Sequence, residues 1–243
     1  MPRGNQGLNQ KTSTASAKPR RNQYGQAMGA KGQQTRQRLL EATQELIRTK
    51  PLRELTISDI TRLAKTSTST FYLYFQDVSE AVLALAGAVS QSTPELLGLL
   101  LTPWGARTAH QQAQAFADSY IETWIRNRDL FRVRNLAADE GDMRFADARR
   151  LATLPLVEAL AVRIAENQRA GIVPADLHPY STAGALLAML ERIAAIPIDT
   201  LARSTHEVSH EKVVHAAAFF AACVISNEPG ILAPIRSGAE PKN

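Results

Sequence analysis

The sequence contains one cysteine and no long apolar run, and these two shortages limit where the protein works. Cys223 cannot form an internal disulfide, and the N-terminus lacks the apolar segment of a secretory signal. No stretch approaches the roughly 20 consecutive apolar residues that a membrane-spanning helix needs. We therefore expect a cytoplasmic protein that does not cross a membrane.

Acidic residues are absent from the first 40 residues, which hold eight lysines and arginines. This stretch carries a charge of +8, whereas the whole chain of 243 residues carries +5, so the remainder is slightly acidic. A basic end on a mildly acidic body indicates that this end meets a polyanion. Residues 1–31 also have too few large apolar side chains for a core, which predicts a disordered basic arm.

Strand-like alternation is absent, and from Thr35 onward the apolar residues recur at helical spacing. The first predicted helix ends at Pro51. The second begins at Thr56, a suitable N-cap, and Asp77 caps a long fourth helix. The pattern therefore predicts an all-α fold. Further helices are expected at 94–101, 106–127, 129–137, 143–170, 177–196 and 206–226.

Residues 56–75 have the pattern of a helix-turn-helix, with a short helix, a polar turn and a second helix. Phe71 and Phe75 stand four residues apart and define the inward face. Hydroxyl groups on the other face can hydrogen-bond base edges and phosphates. A solvated Ser/Thr loop before an ordinary amphipathic helix is the alternative interpretation. The outward positions are Thr66, Ser69, Thr70 and Leu73, with Tyr72 and Tyr74 on the flanks.

Three strings in this region carry a resemblance to a known family. They are TRQRLLEA at 35–42, LTISDI at 55–60 and TFYLYF at 70–75. Residues 35–86 resemble the N-terminal domain of the TetR family of repressors. The resemblance implies a helix-turn-helix DNA-binding domain at 32–77 and a helical effector-binding and dimerisation domain at 78–228. A flexible tail at 229–243 would follow.

The resemblance implies operator DNA as the partner and assigns DNA contacts to the turn and the second helix of the motif. Arg36 and the basic arm would add phosphate contacts that weaken with salt. Lys65 stands where the family's turn commonly has glycine, so a cation replaces the residue that relaxes the turn. The predicted DNA-binding residues are Arg36, Thr56, Lys65, Thr66, Ser67, Thr68, Ser69, Thr70, Tyr72, Leu73 and Tyr74.

Aromatic residues recur along one side of the helix predicted at 106–127. Such a row either packs a core or lines a ligand cavity, and the spacing leaves both open. An apolar lining would take a small apolar effector. The strings RAGI at 169–172 and LER at 190–192 give this half a loose resemblance to the branch that includes the mycobacterial repressor of ethionamide activation. The predicted lining residues are Trp104, Phe116, Tyr120, Trp124, Phe131, Phe145, Leu187, Met189 and Leu190.

Small residues cluster on the last two predicted helices and would let two helices approach closely. They fit either a two-fold interface or packing within one chain. The family resemblance favours a homodimer through these two helices. The small residues are Gly184, Ala188 and Ala195 on one helix and Ala217, Ala218, Ala221 and Ala222 on the other.

The segment at 206–210 reads His-Glu-Val-Ser-His and matches the H-E-x-x-H pattern of zinc hydrolases. His215 lies about 140° around the helix from His210, so it does not provide the third ligand. We therefore predict no catalytic residue, no metal and no cofactor.

Together these features predict a transcriptional regulator that binds a palindromic operator and is released by a small apolar or amphipathic effector. A DNA-binding regulator without an effector and a zinc-dependent hydrolase remain the alternatives.

Overall fold

The computed structural model describes residues 23–89, 93–105, 108–196 and 208–225. Within these ranges the regular structure is helical, as predicted, and none of the helices is long and apolar enough to cross a membrane. The helices are α1 (Ala30–Leu46), a 3-10 helix (Leu52–Glu54), α2 (Ile57–Leu63), α3 (Thr68–Tyr72), α4 (Val78–Val89), α5 (Thr93–Leu101), α6 (Ala109–Arg126), α7 (Arg128–Asp139), α8 (Met143–Arg169), α9 (Pro179–Ala195) and α10 (His210–Ile225).

The first four helices surround one apolar core. Leu39 of α1, Ile60 of α2 and Phe71 of α3 are fully buried in it, and Phe75 packs beside Phe71 with the ring centroids 5.5 Å apart. The inward direction that the sequence assigned to Phe71 and Phe75 is therefore confirmed. Burial of these rings holds α3, which is only five residues long, against α1 and α2.

A second core joins α5, α6, α8, α9 and α10. Trp104, Phe116, Leu160 and Leu190 are fully buried there. Helix α7 connects the two cores, since Leu130 and Ala137 pack into the N-terminal core while Phe131 packs against the C-terminal one. The N-terminal unit is thus packed on α7 and on the start of α8.

The chain joins the N-terminal unit earlier than the sequence indicated. Helix α1 begins at Ala30, five residues before the predicted start, and Met28 is buried. Gln23 already contacts the end of α3, because its backbone amide donates to the Leu73 carbonyl over 3.2 Å. The first 22 residues of the predicted arm and the tail at 229–243 lie outside the described residues.

Candidate DNA-binding surface and sensor site

Helix α2 begins in a reciprocal cap. The Thr56 hydroxyl accepts from the Asp59 amide over 3.2 Å, and the Asp59 carboxylate accepts from the Thr56 amide over 3.1 Å. Lys50 and Arg62 also reach this carboxylate, at 2.6 and 2.7 Å. The Lys50 ammonium and the Thr56 hydroxyl and amide hold the pKa of Asp59 well below its usual range. The predicted N-cap is confirmed.

The turn after α2 is a Schellman motif with Lys65 in the left-handed region. The Thr66 amide donates to the Thr61 carbonyl over 2.9 Å, and the Lys65 amide donates to the Arg62 carbonyl over 3.3 Å. Lys65 has a φ of 52° and an exposed side chain. The turn therefore keeps the geometry that glycine would give it, at the cost of placing a Cβ in a disfavoured backbone region.

Helix α3 begins at a cluster of three hydrogen-bonded hydroxyl groups. Ser67 is the N-cap, and its Oγ accepts from the Thr70 amide over 3.1 Å. The same oxygen lies 2.9 Å from the Ser69 Oγ and 2.8 Å from the Thr70 Oγ1. This arrangement fixes the serine and threonine rotamers before any DNA is bound.

The outer face of α3 is polar at its start and partly apolar at its end. Tyr72 and Leu73 keep 45% and 40% of their surface exposed, and Tyr74 is half-buried. Thr66 and Thr70 were predicted to point outward but are also half-buried, because they lie on the turn and in the cap. The fully outward hydroxyl residues are Ser67, Thr68 and Ser69.

Arg36 lies at the edge of this surface. Its Cζ is 5.2 Å from the centroid of the Phe75 ring, so the guanidinium stacks on the aromatic core of the motif. Gln23 lies beside the end of α3 and donates from its side chain to Glu80 over 2.9 Å. Gln23, the first described residue, therefore lies next to the recognition helix.

In the C-terminal half, built from α5 to α10, the aromatic row on α6 is buried but not uniformly packed. Trp104 stacks near Phe116 and donates from Nε1 to the Leu99 carbonyl over 3.0 Å. Trp124 packs against Phe131 with the ring centroids 6.0 Å apart. A cavity of about 60 Å³ lies at the end of this row, and its lining includes Tyr120, Trp124 and Phe131.

The structure separates the other predicted lining residues from this cavity. Leu187 and Leu190 are buried in the C-terminal core, and Met189 is half-buried against it. Phe145 is fully buried in the N-terminal core instead, because α8 starts beside α4 and α7. Contrary to the prediction, Phe145 therefore does not line a cavity with the aromatic row of α6.

A buried charge network lies beside the cavity and was not predicted from the sequence. Arg134 lies 3.6 Å from Glu191, which also contacts Arg149 at 3.5 Å and accepts from Asn135 over 2.5 Å. Burial lowers the pKa of Arg134, while Glu191 opposes this shift. Burial and, next, Glu191 raise the pKa of Tyr120. The spacing of Arg134 with Leu130 and Ala137 at core positions was the available signal.

A larger cleft of about 690 Å³ opens on the other side of this network. It lies between residues 47–53 of the DNA-binding unit and the helices α7 and α9. Arg149, Glu191 and Trp124 line it, and Trp124 therefore borders both the cleft and the inner cavity.

The small residues on α10 pack within the chain. The C-terminal core buries all four alanines, Ala217, Ala218, Ala221 and Ala222. Contrary to the prediction, they are therefore not available for a dimer interface. The outward face of α10 instead carries Phe219 and Phe220, exposed by 43% and 56%.

Of the H-E-x-x-H segment, His206 and Glu207 lie outside the described residues. His210 begins α10, and His215 makes an edge contact with His110. The described residues hold no group of three or more His, Cys, Asp or Glu side chains placed to bind a metal.

Two family models match the chain, one over the N-terminal unit and one over the C-terminal helices. The model for bacterial regulatory proteins of the tetR family matches residues 39–84, which contain the helix-turn-helix. The model for the tetracyclin repressor-like C-terminal domain matches residues 99–219. The chain belongs to the TetR family. It is a DNA-binding transcriptional regulator with an N-terminal helix-turn-helix.

Solved structures of TetR-family regulators share this fold. The fatty acid degradation regulator FadR from Bacillus halodurans is 11% identical, with a TM-score of 0.59 over 81% of this chain and 97% of its own. A protein described as a TetR-family transcriptional regulator from Rhodococcus sp. is 19% identical, with a TM-score of 0.59 over 79% of this chain and 100% of its own.

The regulator FadR from Bacillus subtilis, solved in complex with stearoyl-CoA, is 12% identical, with a TM-score of 0.58 over 79% of this chain and 98% of its own. At these low identities the structural matches show that the fold is shared. They do not identify the effector of this TetR-family chain. No curated protein sequence matches it.

Proposed function

We propose that this regulator is a homodimeric repressor that leaves a palindromic operator when a small apolar or amphipathic effector enters its sensor half. The exposed face of α3 carries this proposal, since Ser69, Tyr72 and Leu73 stand outward on a helix fixed by buried rings. A helix held in this way can enter a major groove and contact base edges.

The DNA contacts are proposed for the turn, the recognition helix and the positive groups around them. Lys65, Arg36 and the basic arm would neutralise phosphates, while Leu73 would meet a thymine methyl group. The hydroxyl-rich face holds no arginine to read guanine, so much of the affinity comes from phosphate contacts. The remaining proposed contacts are Thr56, Thr66, Ser67, Thr68, Ser69, Thr70, Tyr72 and Tyr74.

Selection of genomic fragments bound by the full chain tests this proposal and should return a palindrome. Fluorescence anisotropy on the selected site should then show an affinity that falls steeply with salt. Leu73→Ala should lower the preference for this site over a scrambled one by about tenfold. Leu101→Ala, which removes an exposed leucine on α5, is the matched control. An affinity that salt leaves unchanged would contradict the proposal.

The homodimer is proposed through α9 and α10, with Phe219 and Phe220 at its centre. Two adjacent exposed phenylalanines on one helix make an apolar surface that a second copy can cover. Phe219→Ser combined with Phe220→Ser should yield monomers in sedimentation experiments, whereas Tyr24→Ser, on the exposed N-terminal segment, should not. A wild-type chain that is monomeric at micromolar concentration contradicts this interface.

An apolar effector is supported by the aromatic lining of the inner cavity and by the stearoyl-CoA complex of the similar B. subtilis regulator. A volume of about 60 Å³ is smaller than the roughly 300 Å³ of a typical ligand pocket, so binding requires the α6 row to move. The same small volume favours the second candidate, a regulator without an effector. Apolar molecules that never change operator affinity would decide for it.

A further inference from the structure

The inner cavity and the interdomain cleft share one wall. Trp124 borders both, while Arg134 borders the cavity and Glu191 borders the cleft. A molecule that occupied both spaces would pass Trp124 and the ion pair between α7 and α9. The cleft, at about 690 Å³, is large enough for the polar part of such a molecule.

The shared wall contains an unused hydrogen-bond donor. Trp124 is only 3% exposed, and its Nε1 has no hydrogen-bond partner within the described ranges. Trp104, the other tryptophan, donates to a backbone carbonyl. Buried indole N–H groups normally find an acceptor, so the Trp124 donor points to an oxygen atom supplied from outside the chain.

The lining of the cleft has an excess of positive charge, with six lysines and arginines against four aspartates and glutamates. Arg134 and Arg149 share the single carboxylate of Glu191, and both distances exceed 3.4 Å. Asp139, which is mostly exposed, also lies 3.4 Å from Arg149. The surplus of cations around these carboxylates leaves capacity for a further anion. That capacity faces the cleft, because Arg149 lines it.

We propose that the effector is an amphipathic anion whose charged group lies in the interdomain cleft at Arg149. Its apolar part extends past Trp124, which donates from Nε1 to a ligand oxygen, into an expanded inner cavity. This inference rests on the proposed effector-dependent function and adds the sign and place of the effector's charge.

The position of the cleft connects this site to the helix-turn-helix. Lys50 lines the cleft and pairs with Asp59, which belongs to the cap of α2. An anion in the cleft would compete with Asp59 for Lys50 and weaken that cap. Lys50→Gln should therefore reduce the effect of the ligand on operator affinity.

Four probes with the same twelve-carbon chain test the proposal: dodecanoate, dodecyl phosphate, dodecanol and dodecyltrimethylammonium. Titration calorimetry on the full chain, below the concentration at which micelles form, should give anions that bind at least about tenfold more tightly than dodecanol. The ammonium probe should bind most weakly. The better of the two anions identifies the charged group as a carboxylate or a phosphate.

Variants then locate the anion. Arg149→Gln should reduce dodecanoate binding to the level of dodecanol and leave dodecanol unchanged, while Arg126→Gln, on the exposed face of α6, should change neither. Trp124→Phe should weaken dodecanoate and dodecanol alike, since both offer an oxygen. Thermal unfolding of each variant reports whether it folds, and Arg149→Lys should restore part of the preference.

The outcomes separate this inference from the function on which it rests. Equal binding of anion, alcohol and ammonium, or tightest binding of the ammonium probe, overturns the anion site and leaves an apolar effector in place. An anion preference that survives Arg149→Gln also overturns it. Failure of all four probes to bind or to change operator affinity contradicts the effector-dependent function itself.

Discussion

The two halves of the molecule bury aromatic rings in different surroundings. Phe71 and Phe75, behind the recognition helix, are almost fully buried among apolar side chains of α1, α2 and α4. Tyr120 and Trp124, in the sensor half, are also buried but adjoin a cavity and a charge network. The difference indicates that the recognition helix is tightly held, whereas the C-terminal core has space to repack around the proposed effector.

This contrast follows from what each half must do. A recognition helix has to present its side chains at constant positions, and close packing with few voids provides that rigidity. A sensor must hold two arrangements of similar free energy so that binding can shift the balance between them. Packing defects and incompletely paired charges bring such arrangements closer in energy.

The largest expected effect comes from breaking the buried network. Glu191→Ala should destabilise the protein by about 3 kcal/mol, because it leaves the Arg134 guanidinium buried without its carboxylate. The matched exposed pair is Glu122 and Arg126, where Glu122→Ala should cost about 0.5 kcal/mol or less. Urea unfolding followed by circular dichroism measures both. Equal losses of stability in the two variants would show that the network around Glu191 contributes no more to stability than an exposed ion pair.

Adding two methyl groups in each half tests the packing difference directly. Ala81 on α4 is fully buried in the N-terminal core, so Ala81→Val should cost about 2 kcal/mol through overpacking. Ala152 on α8 lines the inner cavity, so Ala152→Val should change stability by about 0.5 kcal/mol or less while filling empty space. Both sites are helical, so the lower helix propensity of valine acts equally on both. A larger cost at Ala152 would remove the contrast between the halves.

In the N-terminal half, Lys65 has a strained backbone conformation, and relieving this strain should stabilise the fold. Lys65→Gly should raise the free energy of unfolding by up to about 1 kcal/mol, because glycine adopts a φ of 52° without a Cβ clash. Lys65→Ala keeps the clash and removes the charge, so it should not stabilise.

Operator titrations separate the two effects of this position. Both Lys65→Gly and Lys65→Ala should reduce the salt dependence of binding by about one phosphate contact if Lys65 meets the DNA backbone. Lys65→Arg should retain it. Unchanged salt dependence in the alanine variant would show that Lys65 serves the turn without contacting phosphate.

Much of the fold followed from local patterns in the sequence. The predicted helices at 129–137 and 143–170 correspond to α7 and α8 within two residues at each end, since helical periodicity and N-caps are local signals. The Thr56 cap and the inward pair of phenylalanines followed for the same reason. The three sequence strings that resemble the TetR family then located the helix-turn-helix.

Tertiary placement was not available from the sequence. Phe145 sits in the other core because α8 starts beside α4, which helical spacing within α8 does not reveal. The alanines of α10 face inward and the larger Phe219 and Phe220 occupy the outer face, the reverse of what side-chain size alone suggests. The pairing of Arg134 with Glu191 joins residues 57 positions apart on two helices. Long-range partners of this kind depend on how the helices are packed, and local periodicity does not record it.

The smallest expected effect concerns the Asp59 carboxylate in the cap of α2. It is a change in stability that appears only at acidic pH. Its pKa is lowered in the folded protein, so its contribution to stability is present above the ordinary value of 3.8 and is lost as the pH falls below that value. The difference in stability between the wild type and Asp59→Asn should therefore shrink on acidification below this pH. Lys50→Gln removes the largest cause of the shift and should move the loss to higher pH. The stability difference caused by Asp59→Asn can be measured in the wild type and in the Lys50→Gln variant. If it stays constant down to pH 2 in both proteins, Lys50 and Thr56 contact this carboxylate more weakly than the geometry of the α2 cap indicates.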